Sequence, residues 1–371
     1  MLYLDANATE PLRPAARQAA LAAMAAANPS SIHAAGRAAR RILEFSRETL
    51  AEKFGVRPQG VVFTSGATEA NALAIHALGS GRKILVGATE HDAVRAAAPD
   101  GVTIPVLADG TVDLAALAGL LARHEGALVC LMAANNETGV IHDIAAAAKL
   151  CAAHGALLHV DAAQAAPRCP EDVLALGVTS FAISGHKAGG PAGAGALVVA
   201  PGFAETLAAL QKGGGQESGR RGGTPALPAI AGMAAAFGEA TDWGRIARLR
   251  DAIAARACAL GAIIAGEAAK KLPNTVCLIM PGLRADTQLI ALDLAGVAVS
   301  AGSACSSGKL AESHVLAAMG FGAQAGQAIR VSLPWNAPDD AAENFTAAYA
   351  AMLARALRRE ETAVTSAKVA V

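Results

Sequence analysis

The chain has 371 residues, enough for one large domain and a smaller one, and at 53% apolar it can bury a sizeable core. Its 31 Lys+Arg balance its 31 Asp+Glu, so there is no basic field to hold a nucleic acid or an anionic membrane by charge. The start MLYLDANATEP lacks the apolar stretch of a secretion signal, no run reaches the ~18 apolar residues of a membrane helix, and the cysteines at 130, 151, 169, 258, 277 and 305 form no CxxC pair, which points to free thiols in a reducing cytoplasm.

In chain order, strands are predicted at Val61–Phe63, Lys83–Val86, Ala127–Met132, Ala156–Val160, Ser180–Ile183 and Gly195–Val199. Helical patterns intervene, as at Asp113–Arg123 and Asp143–Ala153. This alternation predicts an α/β fold around a mostly parallel, doubly wound sheet. Around Trp243 the pattern changes, and a long helix from about Arg245 to Leu260 leads into short strands and helices. The expected division is a large domain over 13–244 and a small α/β domain made of 1–12 and 245–371. The tail after Arg359 is polar and aperiodic and is expected to fray. Every cysteine except Cys305 sits among apolar residues and is expected to be a small core side chain.

In such a sheet, ligands gather beyond the carboxyl ends of the strands, and the polar motifs fall there. TSGATE (Thr64–Glu69) turns from a strand into a helix whose first amides, at Ala67 and Thr68, can hold a phosphate; a capping box gives the same letters. His91 in TEHDAV can stack on a planar ring or cap a helix. In HVDAAQ, Asp161 ends an apolar strand, where a protonated ring nitrogen is a natural partner; capping of the next helix is the alternative. In SGHK, Lys187 directly follows a buried strand, where a desolvated amine forms Schiff bases readily; a solvated loop lysine is the alternative. GGGQESGRRGGT (Gly213–Thr224) is a basic, mobile segment that can reach a phosphate. Cys305 in SAGSACSS lies among small polar residues with glycines nearby, as an exposed nucleophilic or an inert loop thiol. Arg330 in IRVSL lies within an apolar strand and needs an anion, for which a substrate carboxylate would serve.

Taken together, LDANAT, NPSSIH, TSGATEAN, TEH, NNETG, HVDAAQ, SGHK, GGGQE, RxGT and SAGSAC, in this order, make the chain resemble the NifS/IscS-like cysteine desulfurases. These are class V aminotransferase-like enzymes of pyridoxal-phosphate (PLP) fold-type I, and the resemblance runs from about Tyr3 to Leu333. It implies a seven-stranded-type sheet in the large domain and PLP bound covalently to Lys187. It also implies Asp161 at the pyridine nitrogen, His91 stacked on the ring, Gln164 near the ring oxygen, and Ala67, Thr68, Ser184 and His186 at the phosphate. Thr224 would complete the phosphate site of a second subunit, which implies a homodimer. Arg330, with Asn136 and Asn7, would bind the carboxylate of L-cysteine. Cys305 would carry the persulfide to an acceptor protein, an iron–sulfur scaffold or a tRNA-thiolation enzyme. No metal, nucleic acid or membrane is implied.

The chain departs from the pattern at Glu10, where a second Thr is usual, and at Ala192, Ser218 and Pro334, none of them a cofactor or nucleophile position. A selenocysteine lyase or another class V PLP enzyme is the nearest alternative. A catalytically idle sulfur-carrier scaffold is the alternative from another class.

Overall fold

The computed structural model describes residues 1–169, 177–302 and 312–369, with side chains to residue 356. Strand β1 (Leu2–Tyr3) is followed by the strands of one seven-stranded sheet: β2 (Val61–Thr64), β3 (Ile84–Gly87), β4 (Val102–Ile104), β5 (Leu128–Met132), β6 (Leu157–Asp161), β7 (Ser180–Ser184) and β8 (Gly195–Val199). Their spatial order is β2-β8-β7-β6-β5-β3-β4. All pairings are parallel except those of β8, which runs antiparallel to both β2 and β7. Strands β2, β5, β7 and β8 are buried at every position, as continuous apolar runs are when a sheet is covered on both faces.

Alternation along each strand sorts the two faces. Val61, Phe63, Val129, Leu131, Val160, Phe181 and Ile183 pack in one core with helices Pro14–Ala23, Ala34–Lys53, Leu114–Arg123, Ile144–Ala153 and Leu227–Gly238. Val62, Leu128, Cys130, Ala182 and Leu197 face the other way, onto helix Ala67–Leu78. The six predicted strands all form. The edge strand β4 went unpredicted because Val-Thr-Ile is too short to show a period. Asp113 and Asp143 lie just outside their helices as N-caps, their carboxylates accepting from the amides of Ala116 and Ala146 at 2.9 Å.

A second core gathers Ile246, Ile253, Val276, Leu278, Ile329, Val331, Phe345 and Tyr349, and Leu4 from the start of the chain belongs to it. Its sheet has the order β12-β13-β10-β9, with β9 (Ile263–Ile264), β10 (Thr275–Ile279), β12 (Ser300–Ala301) and β13 (Ala328–Ser332). Strand β1 pairs in parallel with β11 (Val297–Ala298), and Asp5 bridges to Ser332. From there the first residues cross to the large sheet, where the amides of Glu10 and Arg13 donate to the carbonyls of His186 and Gly189 at 3.0 and 2.8 Å. The expected fraying after Arg359 is corrected: the last helix runs Ala341–Val369. Its first turns are anchored by buried Phe345, Tyr349 and Met352, and the Ala, Arg, Glu and Lys that follow are good helix formers. No helix among the described residues is long and apolar enough to cross a membrane.

Gly195 sets how closely β2 and β8 approach. A Cβ there would lie 2.6 Å from Gly66 Cα and C and 2.7 Å from the Ile183 carbonyl oxygen, all backbone atoms that cannot rotate away. Gly195→Ala should therefore cost about 1–3 kcal/mol by overpacking and displace the loop at Thr64–Gly66. Thermal melting checks this, and an unchanged midpoint would contradict it.

Candidate active site

The register of the large sheet brings the motifs to one edge. Thr64 pairs with Gly195 and Gly195 with Ser184; Met132 pairs with Asp161 and Asp161 with Ala182. Because β8 runs backward, its first residue lies beside the last residues of β2 and β7. TSGATE, SGHK, DAAQ and NNETG thus form a continuous rim.

Lys187 ends a short 3-10 turn (Gly185–Lys187) that leaves β7. Its Nζ donates to the Asn7 carbonyl at 2.5 Å and the Ala8 carbonyl at 2.8 Å. The residue is half-buried. Burial, then the charges of Arg330 and Arg168, pull its pKa from 10.5 down to about 8, against the pull of Asp5 and Asp161. Asp161 is 7% exposed. Its Oδ2 accepts from Asn71 Nδ2 at 2.7 Å and its Oδ1 from the Ala163 amide at 3.0 Å, so local capping and a site role coexist. Asn71 turns its Oδ1 to His159 Nε2 at 2.9 Å, and His159 Nδ1 lies 2.8 Å from Ser180 Oγ. Since the Asn71 NH2 serves the carboxylate, its oxygen must accept from His159, which fixes the proton on Nε2 and makes Ser180 the donor to Nδ1. Burial keeps this histidine neutral, with its pKa down at about 3.

At the other end of the rim, helix Ala67–Leu78 begins with Gly66 as N-cap and no capping side chain. The amides of Ala67 and Thr68 find no acceptor among the described residues. The Glu69 carboxylate accepts from the Ser65 amide at 2.8 Å, so the capping pattern is present alongside free amides. Ser184 is buried at the end of β7, and the half-buried His186 has Nδ1 3.1 Å from Thr9 Oγ1. The expected mobility of Gly213–Thr224 is corrected. Glu217 is buried and bidentate on Arg47 at 2.8 Å, and it accepts the Phe63 amide at 2.9 Å. Arg221 grips Glu69 at 2.7 and 3.1 Å. Thr224 lies exposed on a cavity of about 80 Å³ that Thr64, Ser65 and Arg221 also line.

Arg330 is 5% exposed. Its NH2 reaches Asp5 Oδ1 at 2.6 Å, its NH1 the Asn136 carbonyl at 3.1 Å, and its Nε has no partner among the described residues. Its resident anion is therefore Asp5, a residue the sequence reading left unassigned. The Asn7 side chain is engaged by Asn274, Thr275 and the Asn136 carbonyl at 2.9–3.1 Å; what Asn7 offers the site is the backbone carbonyl that holds Lys187. His91 is exposed and caps helix Asp92–Arg95, its Nδ1 accepting from the Ala93 amide at 3.1 Å. Gln164 Nε2 donates to the same Asn7 carbonyl at 3.0 Å. Cys305 lies outside the described residues. Buried Glu137 of NNETG contacts Gly302 and Ser313. Ser313 Oγ donates to Glu137 Oε2 at 2.5 Å, and a Cβ on Gly302 would come within 2.1 Å of that oxygen. Burial raises the Glu137 pKa, while the Ser313 hydroxyl and the charges of His314, Arg330 and His91 oppose it. The expectation that all other cysteines are buried is corrected at Cys258, which is exposed near the end of helix Trp243–Ala259. The polar side of that helix carries it.

Several partners escaped sequence reasoning: Asn71, His159, Glu90, Glu137, Asp5 and the Glu10–Arg168 pair. Glu90 is fully buried, accepts from the Met132 amide at 2.5 Å, and has its pKa raised well above the usual range by burial and by Asp161. All but Arg168 lie inside or beside the polar motifs, so motif membership was the available signal and side-chain direction the missing one.

PLP fits this rim on the structure's own terms. There is a half-buried amine made a weaker base than usual, a nearby carboxylate held in place by Asn71, and a helix start with free amides. At that start a Cβ on Gly66 would meet only open space. The class-V aminotransferase family profile matches residues 2–345. The chain belongs to that family. Within it, the relatives are NifS/IscS-like cysteine desulfurases. The chain is 36% identical over 368 residues to an IscS-like cysteine desulfurase of Mycobacterium tuberculosis, covering 90% of this chain and 91% of that one. It is 40% identical over 365 residues to a cysteine desulfurase of a Frankia species, covering 90% and 86%. A solved NifS-like protein from Rickettsia africae superposes with a TM-score of 0.87 at 32% identity, over 95% of this chain and 99% of that one.

Buried His142 accepts the Val112 amide on Nδ1 at 3.1 Å, and burial depresses its pKa to about 4. A depressed folded-state pKa contributes stability that is present above the unfolded value near 6.5 and is lost as pH falls toward 4. At pH 5 the loss for this histidine is on the order of 2 kcal/mol. Urea unfolding at pH 7.5 and pH 5 should show the fall, and His142→Gln should reduce it by about 2 kcal/mol, leaving the share of buried His159. An equally steep fall in the variant would contradict the assignment.

Proposed function

We propose that the chain converts L-cysteine to L-alanine and takes the sulfur onto Cys305 as a persulfide, for delivery to an acceptor protein in iron–sulfur cluster assembly or tRNA thiolation. The proposal rests on one placement above all: an amine whose pKa is lowered to about 8, on the same sheet edge as a fixed carboxylate and free helix amides. The desulfurase names of the relatives agree with it. Lys187 Nζ would hold PLP covalently, Asp161 would face the ring nitrogen, and Ala67, Thr68, Ser184 and His186 would receive the phosphate. Gln164 would face the ring oxygen and His91 the ring plane. When bound, the cofactor supplies an electron sink for ionisation at Cα.

The chain's own residues do the rest. Lys187, once released, takes and returns the Cα proton with the unprotonated fraction its low pKa provides. Arg330, through NH1, NH2 and the unpartnered Nε, binds the substrate carboxylate in competition with Asp5, and Asn136 lies beside it. The Sγ of Cys305 forms a bond to the substrate sulfur as the carbon–sulfur bond breaks. The electron pair stays on the carbon, which takes a proton and leaves as alanine. A plain aminotransferase has no use for a thiol nucleophile, so the Cys305 motif SAGSAC favours the desulfurase reading.

We further propose a homodimer in a reducing compartment. Leu21, Met24, Ile32 and Phe45 are exposed apolar residues within one short stretch, of the kind that a second copy covers. Exposed Thr224 is free to serve a partner's phosphate site. Residues 13–244 and 1–12 with 245–371 form the two domains in this proposal, supported by the separate core that includes Leu4.

Two variants test the activity. Lys187→Ala should form no covalent adduct with added PLP after borohydride reduction, read by mass spectrometry, and should be inactive. Cys305→Ser should take up PLP and bind cysteine normally yet release alanine at least about a hundredfold more slowly. Desulfuration at the normal rate by Cys305→Ser would overturn the persulfide step and reopen selenocysteine or another amino acid as substrate.

A further inference from the structure

Glu10 is the most consequential departure from the desulfurase pattern, because it is buried as half of an ion pair. Its Oε1 lies 3.0 Å from Arg168 NH2, and the two side chains are 1% and 0% exposed. Such a pair survives without water when most of its remaining donors and acceptors are satisfied. Glu10 Oε2 accepts the Trp335 amide at 3.2 Å. Arg168 NH1 donates to the Gln164 carbonyl at 3.0 Å and to Gln164 Oε1 at 2.8 Å, while its Nε has no partner among the described residues. The Arg168 guanidinium also sits 5.9 Å from the Trp243 ring centroid.

This arrangement decides which way a side-chain amide points. A cation on Gln164 Oε1 leaves only the NH2 end for the opposite side, where Nε2 donates to the Asn7 carbonyl at 3.0 Å. That carbonyl is the one that accepts from Lys187 Nζ. Glu10 is also tied to the lysine turn directly, since its amide donates to the His186 carbonyl at 3.0 Å. Without the carboxylate, Arg168 would be a buried charge with no counter-charge and would leave Gln164 to reach one. A threonine at position 10 carries no charge to prevent that.

We infer that Glu10 is a positioning residue of the cofactor site: by neutralising Arg168 it locks the Gln164 amide with its NH2 toward Asn7 and Lys187. This rests on Lys187 being the cofactor lysine. The chain thus anchors Gln164 with an ion pair that joins its first residues to the segment after β6.

The test uses Glu10→Gln, Glu10→Gln/Arg168→Gln, Gln164→Ala and Glu10→Gln/Gln164→Ala in the full chain. The melting temperature is read without cofactor, and the rate of PLP loss on dialysis after loading. Glu10→Gln should melt several degrees lower and lose PLP about tenfold faster or more. The double variant with Arg168→Gln should recover the melting temperature, because no uncompensated charge remains, but not the PLP retention. Adding Glu10→Gln to Gln164→Ala should not speed PLP loss further. Glu10→Asp, which keeps the charge, folds if Glu10→Gln does not, and should lose PLP faster than the parent but more slowly than Gln164→Ala. PLP retention at the parent rate in Glu10→Gln or Glu10→Asp would overturn the inference. So would losses that add in full in the Gln164→Ala background, or recovery of both properties in the Arg168 double variant, which is what a purely structural pair would give. Lys187→Ala serves as control: if it still holds PLP covalently, the assignment of the lysine fails, whatever Glu10 does.

Discussion

The whole rim depends on one contact, the Lys187 amine against the carbonyl of Asn7. An amine drawn from water into a packed site weakens as a base, and two backbone carbonyls hold it without offering a full negative charge. The carbonyl that does this belongs to neither the sheet nor its helices. It comes from the first residues of the chain, held by Ser332 on the Asn7 amide and by Asn274 and Thr275 on its side chain. The second core therefore sets the position of a group on the large sheet. A shift of β13 or of the Asn274–Thr275 stretch would reach Lys187 through three hydrogen bonds.

Charges around that amine are arranged by burial as much as by pairing. Asp161 is held by Asn71, which is oriented by a neutral His159 that Ser180 locks in turn. Glu90 lies near enough to Asp161 for that charge to help raise its pKa, so Glu90 favours its neutral form. Arg330 and Arg168 act on Lys187 in the opposite sense to Asp5 and Asp161. Each cation carries its own counter-charge, Asp5 for one and Glu10 for the other. The two ion pairs keep the site close to neutral while leaving the lysine a weak base.

Much of this was legible in the residues before any coordinates. Fully buried strands read as uninterrupted apolar runs, and the polar letters that follow each run had to lie at the strands' carboxyl ends, so Lys187, Asp161 and Ala67–Thr68 could be placed together. What stayed hidden depends on direction and on distant partners. The letters around Asn71 fix a helix but not that its amide spans Asp161 and His159. Glu10 and Arg168 are 158 positions apart, and nothing local marks them as a pair. Arg330 was correctly expected to need an anion, yet a nearby acid already supplies it. Cys258 looked apolar in its neighbourhood because the alanines around it suit either side of a helix.

The central claim is that Lys187 is a desolvated amine at the end of β7. Its ionisation can be measured directly, from the pH dependence of covalent PLP capture by the cofactor-free chain, or of reductive methylation of Lys187 followed by mass spectrometry. The account predicts a midpoint near 8, which at neutral pH leaves roughly 300-fold more free amine than an ordinary lysine has. A midpoint near 10.5, the ordinary lysine value, would contradict it.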